Sequence, residues 1–265
     1  EPLVEYMPEA GKKLMEAFWP GPLTMIFPKS SRVPYGTTGG LETVAVRMPS
    51  DPVANRLIAL AGVPIAAPSA NTSGRPSPTT ADHVWQDMNG RIDMIIDGGP
   101  VGIGVESTIV DVSGQVPVVL RPGAITMEML RETLGEVTID PAILGPMAEG
   151  VRPKAPGMKY KHYAPKAELT LVEPAMEDKK ASMTQEQVER MVSMVWKLAK
   201  EQIDAGVRVG IICTDESRAA YPEGIVRSIG ARKSQESVAH NLYGVLREFD
   251  DLKAEVIGIP WWPSG

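Results

Sequence analysis

A single cysteine, Cys213, stands in a chain of 265 residues. An internal disulfide is therefore excluded, and so is a zinc site built on cysteines. Such thiol poverty fits a reducing compartment, and a cytoplasmic location is expected. No apolar run approaches the ~20 residues that a membrane-spanning helix needs, so no membrane partner is expected, and the first residues carry no signal-peptide pattern. There are three histidines, His83, His162 and His240. No H-E-x-x-H, G-x-S-x-G or catalytic-cysteine setting accompanies them, which argues against a zinc enzyme or a hydrolase triad. Basic charge is scarce too: 27 Lys and Arg against 33 Asp and Glu give a net charge of −6. Broad binding to nucleic-acid phosphate needs a basic face. The balance argues against that but leaves room for one phosphorylated small molecule held by a few arginines. A P-loop ending in GKS or GKT, a G-x-G-x-x-G fingerprint and internal repeats are all missing.

Against these absences one stretch stands out, Pro64-Ile-Ala-Ala-Pro-Ser-Ala-Asn-Thr-Ser-Gly-Arg-Pro-Ser-Pro-Thr-Thr-Ala-Asp82. Val63 to Ala67 reads as the end of a buried strand. A loop dense in Pro, Ser, Asn and Gly follows, and then a helix running to about Met88. Ser77 or Thr79 can cap that helix, and Pro78 suits its first turn. A strand, a small polar loop and a helix N-terminus present free backbone N–H groups and the positive end of a helix dipole. Ser69, Asn71, Thr72, Ser73 and Ser77 add short donors, and Arg75 adds a charge. On the residues alone this is either a phosphate- or nucleotide-binding loop or an ordinary polar loop, with equal weight.

Around it the pattern alternates. Helices are expected from Pro8 to Phe18, after Ser50-Asp51-Pro52 to Leu60, and from Thr126 to Leu134. Strands are expected at 23–27, 43–47, 94–97, 108–112 and 116–120, forming one twisted mixed sheet. From Asp140 to Pro165 the chain is rich in Pro and Gly without periodicity. Lys154, Lys159, Tyr160, Lys161, His162 and Tyr163 make it unlike a passive spacer, although a solvated linker is the alternative. Beyond it, strands at 169–173, 207–213, 225–229 and 254–259 alternate with helices. One helix opens at the capping box Thr184-x-x-Gln187 and runs to Ala205 with an apolar stripe of Val188, Met191, Val192, Val195 and Leu198. The other spans 237–249. This is the pattern of a small parallel Rossmann-like sheet. His83 and His240 lie in expected helices and read as structural or surface residues.

Two arginines end strands and precede prolines, Arg47-Met-Pro49 and Arg121-Pro-Gly123. Each would aim a guanidinium fork past the sheet edge, suited to phosphate or carboxylate; a plain surface arginine is the alternative for each. Glu106-Ser107-Thr108 brings hydroxyls to a strand start after a glycine-rich approach. The set suits catalysis by positioning and charge neutralisation rather than through a covalent nucleophile.

Taken in order, Pro20-Gly-Pro-Leu-Thr24, Thr43-Val-Ala-Val-Arg-Met-Pro49, Val63-Pro-Ile-Ala-Ala-Pro-Ser-Ala-Asn71, Ser73-Gly-Arg-Pro-Ser-Pro78, Ile96-Asp-Gly-Gly99, Gly104-Val-Glu-Ser-Thr-Ile-Val-Asp111 and Leu120-Arg-Pro-Gly123 resemble the YrdC-like domain. Pro156-Gly-Met-Lys-Tyr-Lys-His-Tyr-Ala-Pro165 resembles the linker of the two-domain threonylcarbamoyl-adenylate synthases. The resemblance implies an α/β protein: a YrdC-like twisted mixed sheet over residues 1–138, a linker and lid over 139–167, and a Rossmann-like C-terminal domain over 168–265. It implies a nucleotidyltransferase that condenses L-threonine, bicarbonate and ATP to threonylcarbamoyl-AMP and pyrophosphate. Mg²⁺ would accompany the ATP, and a downstream complex would transfer the threonylcarbamoyl group to tRNA. Carried over by motif, Thr43, Arg47, Ala67 and Ser107 would bind threonine, with Arg47 on its carboxylate. Ser69, Asn71, Ser77, Arg121 and Tyr163 would bind ATP, with Tyr163 closing as a lid. Arg47, Ser69 and Asn71 would be the catalytic set. The family's preceding portion carries a Lys-x-Arg pair. Lys29 and Arg32 do not match it in place, so the chain is expected to begin after that portion. The final Ile259-Pro-Trp-Trp-Pro-Ser-Gly265 also departs from the family pattern. The alternatives are a YrdC-like module binding double-stranded RNA or tRNA without adenylate synthesis, a carbamoyltransferase subdomain, and an inactive fragment.

Overall fold

The computed structural model describes residues 2–144, 164–174 and 183–260. Tyr163 and the basic-aromatic run before it lie outside them. The chain divides into two compact units, one of residues 1–68 and 106–161, the other of 69–105 and 162–265.

In the first unit, helix α1 (Glu9–Phe18) leads into β1 (Leu23–Pro28). A short helix α2 (Tyr35–Thr38), strand β2 (Thr43–Arg47) and helix α3 (Pro52–Ala61) follow. Asp51 caps α3 by accepting the Ala54 N–H at 2.8 Å, and Gly62 ends it in the left-handed region with φ of 66°. Helix α4 (Ala81–Met88) belongs to the second unit. The first unit resumes with β3 (Thr108–Asp111), β4 (Val118–Arg121), α5 (Met127–Leu134), β5 (Thr138–Ile139) and α6 (Pro141–Leu144). Its sheet runs β2-β1-β3-β4-β5. Pairings alternate antiparallel, parallel, antiparallel, parallel, so the sheet is mixed. Leu23, Met25 and Phe27 recur at the period of two and pack with Leu14 of α1 and Leu130 of α5 in the main core. Ile26, Ile109 and Leu120 form a smaller cluster.

In the second unit, β6 (Glu168–Val172), α7 (Gln185–Asp204), β7 (Val209–Cys213), β8 (Ile225–Ser228), α8 (Gln235–Asp251) and β9 (Val256–Pro260) build a four-stranded sheet of order β6-β9-β7-β8. All its pairings are parallel. The capping box at Thr184 and Gln187 is formed. Every residue of β7 is buried, as a strand covered on both faces must be. Ile212 packs with Val245, Leu246 and Phe249 of α8, whereas Ile211 and Cys213 pack with Val195 and Ala199 of α7. The expected stripe of α7 is core at Val188, Met191 and Val195, but Leu198 is exposed and Ala199 takes its place inside.

Two expected strands are absent. Val63 to Ala67 and Met94 to Asp97 form no ladder, and Val63, Ile65, Met94 and Ile96 are exposed. β-propensity describes fitness for a pleated, paired surface, and no described strand pairs with either segment. The cap of α4 is also one or more residues later than expected. Thr80, not Ser77 or Thr79, accepts the His83 N–H, at 3.3 Å.

Candidate functional site

In the first unit the strand registers gather four polar side chains at one end of the sheet. Thr24 stands opposite Arg47, Leu23 beside Thr108, and Ile109 opposite Arg121. The starts of β1 and β3 therefore meet the ends of β2 and β4. The Thr24 and Ser107 hydroxyls are 2.8 Å apart. Arg121 donates from Nε to the Ser107 carbonyl at 3.0 Å and from Nη2 to its hydroxyl at 3.2 Å. Glu106 lies 3.6 Å from the same guanidinium. Thr108, wholly buried, exchanges hydrogen bonds with the backbone of Ile125.

A glycine makes this closeness possible. A Cβ on Gly123 would stand 2.5 Å from both the Glu106 carbonyl oxygen and the Thr108 nitrogen. Only a residue without a side chain lets the Arg121-Pro122-Gly123 turn lie against the Glu106–Thr108 backbone. Ser107 and Arg121 thus form one block, while Arg47 remains exposed beside Thr24.

Thr43 is not part of this group. It starts β2, opposite Pro28, whereas Arg47 ends that strand. Four residues of strand separate them by ~13 Å. Ala67 is exposed on the irregular stretch after α3.

In the second unit the polar loop is held from beneath. Asn71 donates from Nδ2 to the carbonyls of Thr72 at 2.9 Å and Arg75 at 3.2 Å. Its Oδ1 is buried and has no partner among the described residues. Ser69 is exposed, whereas Ser77 is buried. The Asp87 carboxylate of α4, fully buried, accepts the Thr72 N–H at 3.2 Å and pairs with Arg75 and with Arg247 of α8. Arg247 has no exposed surface. It donates from Nη2 to Asp87 at 2.7 Å and from Nε to the Pro76 carbonyl at 3.0 Å. Asp250 accepts the Lys166 N–H at 2.7 Å and faces Arg75 at 3.9 Å. Ala164 N–H donates to the Gly74 carbonyl at 3.2 Å. Burial alone would raise the Asp87 carboxyl. The hydrogen bonds from Arg247 and the Thr72 N–H, with the charges of both arginines, outweigh it and hold the carboxyl below its ordinary range.

A cavity of about 410 Å³ adjoins α4 and α8, lined in part by His83 and His240. His83 Nδ1 accepts the Thr79 N–H at 3.1 Å, so its proton sits on Nε2. Burial, and next the Arg247 charge, lower its titration below that of an ordinary histidine. His83 is therefore expected to be neutral at pH 7, with an NMR titration midpoint under the usual ~6.5. A group with a lowered basic value loses stabilising effect as pH falls below its unfolded value, so any His83-linked loss appears below that pH. A midpoint at or above 6.5 would refute the assignment.

Sequence reasoning missed Asp87, Arg247 and Asp250. The available signal was the placement of Arg247 and Asp250 among Val245, Leu246 and Phe249 on the buried side of α8.

The comparisons with known proteins concern this whole arrangement. The model of the Sua5–YciO–YrdC family, described as telomere recombination, matches residues 1–123. The model described as threonylcarbamoyl-AMP synthase, C-terminal domain, matches residues 125–263. The threonylcarbamoyl-AMP synthase of Bacillus subtilis is 44% identical over 258 residues, covering 97% of this chain and 69% of that protein. The chain belongs to the threonylcarbamoyl-AMP synthase family. The synthase of Pyrococcus abyssi is also 44% identical, across 97% of this chain and 70% of its own length. A crystal structure of P. abyssi Sua5 complexed with L-threonine superposes with a TM-score of 0.86 at 42% identity, covering 99% of this chain and 71% of that one. Family membership agrees with both sheets described above, the mixed one and the parallel one. Among the described residues no helix is long and apolar enough to cross a membrane.

Proposed function

We propose that this chain makes threonylcarbamoyl-AMP, as its relatives' name states, from L-threonine, bicarbonate and ATP. The observation that carries the reading is the gathering of Thr24, Arg47, Ser107 and Arg121 at one sheet end, in a family member 42% identical to a protein crystallised with L-threonine. Arg47, exposed and opposite Thr24, is the cation for the threonine carboxylate. Ser107, held by Thr24 and Arg121, supplies a hydroxyl of set orientation. Thr43 stands apart from this group and is left out of the threonine set. The loop from Ser69 to Ser77, with Asn71, takes the nucleotide. Arg121 is proposed to contact the nucleotide, and Tyr163 to cover it.

The chemistry asks for alignment rather than for a nucleophile on the protein. The threonine amine adds to the carbon of bicarbonate-derived CO₂ and loses a proton, giving a carbamate. A carbamate oxygen attacks the ATP α-phosphorus, and the bond to the β-phosphate oxygen breaks, releasing pyrophosphate. Arginines and backbone N–H groups offset the charge of the two anions. Mg²⁺ is proposed with the triphosphate. It would be held largely through phosphate oxygens, where it would neutralise charge. The product is proposed to pass to a transfer complex that modifies tRNA in the cytoplasm, a compartment the lone, buried and free Cys213 suits.

The test is pyrophosphate release from ATP and bicarbonate with and without L-threonine. Threonine-dependent release is the expected result. Release without that dependence, or neither release nor ATP binding by calorimetry, would overturn the reading.

A further inference from the structure

We propose that Arg247 of α8 is a positioning residue for the nucleotide loop: with Asp87 as its counter-ion, it holds residues 72–76 in the shape that receives ATP. The inference rests on the reading of that loop as the ATP site.

The contacts of this buried group reach the loop backbone at two points. Arg247 holds the Pro76 carbonyl, next to Ser77, through Nε. Through Nη2 it holds Asp87, which in turn holds the Thr72 N–H, next to Asn71, and the Arg75 side chain. Both ends of the loop are thereby tied to one wholly buried guanidinium. Asn71 contributes from within, spending both hydrogens of its amide on the Thr72 and Arg75 carbonyls. The tie is directional. A planar fork with two separately aimed donors meets a carbonyl and a carboxylate at once, whereas an ammonium on a flexible stem cannot satisfy the same pair in the same geometry.

A device serving stability alone would more cheaply be apolar, because a buried ion pair gains little over well-packed hydrophobic residues. Four buried polar atoms of this cluster, Asn71 Oδ1, Arg75 Nε, Arg247 Nη1 and Asp250 Oδ2, also lack hydrogen-bond partners among the described residues. Arg247 approaches the loop from the side of α4, through Asp87. It is placed to act on ATP only through the loop.

Calorimetric titration of Arg247→Lys with MgATP and with L-threonine tests this. The expected result is ATP affinity at least tenfold weaker, threonine affinity within twofold, and unchanged stoichiometry. A merely structural role predicts something else: a smaller folded fraction, hence lower stoichiometry, with both affinities unchanged. Unchanged ATP affinity in a variant with native near-ultraviolet circular dichroism overturns the proposal. If Arg247→Lys does not fold, Arg247→Met/Asp87→Leu removes both charges together and is read the same way. Ser69→Ala and Ser77→Ala separate the two levels of the reading. If they leave ATP affinity unchanged, the loop is not the ATP site and both readings fall. If they weaken it while the Arg247 variants do not, only the positioning role falls.

Discussion

Arg47→Ala is expected to abolish measurable L-threonine binding while leaving ATP affinity within a few fold. Arg47 ends β2 opposite Thr24 and is exposed, so truncation removes no core contact. Its planar fork suits a carboxylate bidentately. Hydrogen bonds to charged groups contribute about 1.5–3 kcal/mol each, so losing two weakens binding by roughly 10²–10⁴-fold. Arg47→Lys keeps the charge but not the paired geometry and should recover only part of the loss. Titration of each variant with L-threonine and, separately, with ATP checks the assignment. Unchanged threonine affinity in the alanine variant would remove Arg47 from the carboxylate site. Equal losses for both ligands would mean that it serves the nucleotide.

The largest loss of stability is expected from Asp87→Ala. Arg247 has no exposed surface, and Asp87 is its charged partner. Removing one member of a buried pair leaves the other charged in a medium that solvates it poorly, at a cost of about 3–5 kcal/mol. For a protein of this size that lowers the melting temperature by roughly 6–20 °C. Asp87→Ala/Arg247→Met should be less destabilised than Asp87→Ala alone, because the wholly buried guanidinium is gone and the partly exposed Arg75 keeps Asp250 nearby. That non-additivity is the signature of direct coupling. The pH dependence has a definite sign. The carboxyl is held below its ordinary value, so its stabilisation is complete above about pH 4 and is lost as pH falls through the lower folded-state value. Acid unfolding of the wild-type chain should show that component and Asp87→Ala should lack it. A melting temperature within a degree of wild type would show that the pair is not buried in solution.

The sequence made some of this legible because the governing forces are local. Periodicity located α7 and β7, the capping box located the start of α7, and Gly62 and Gly135 marked helix ends. The Arg-x-Pro and Arg-Pro-Gly motifs pointed to Arg47 and Arg121. Illegible features depend on partners distant in sequence. Val63 to Ala67 has the composition of a strand, but a strand needs a neighbour, and composition names none. Thr43 and Arg47 share a motif and a face of β2, yet the register with β1 sends them to opposite ends of the sheet. In the sequence Arg75 reads only as an added charge on the polar loop. The fold instead gives it Asp87 and Asp250, residues whose placement beneath the loop no local pattern encodes.

The hydrogen bond from Arg247 to Pro76 joins residues 171 positions apart. During synthesis the loop leaves the ribosome long before α8 exists. At translation rates of ~5–20 residues per second, that interval lasts roughly ten to thirty seconds. Throughout it Asp87 and Arg75 can pair with each other, but the Pro76 end of the loop has no anchor. The mixed sheet draws on strands between residues 23 and 139, whereas the Pro76 end of the loop waits for α8. If the loop takes the nucleotide as proposed, competence to receive it would follow only once α8 has been made, and a ribosome stalled before α8 would hold a loop without its Pro76 anchor.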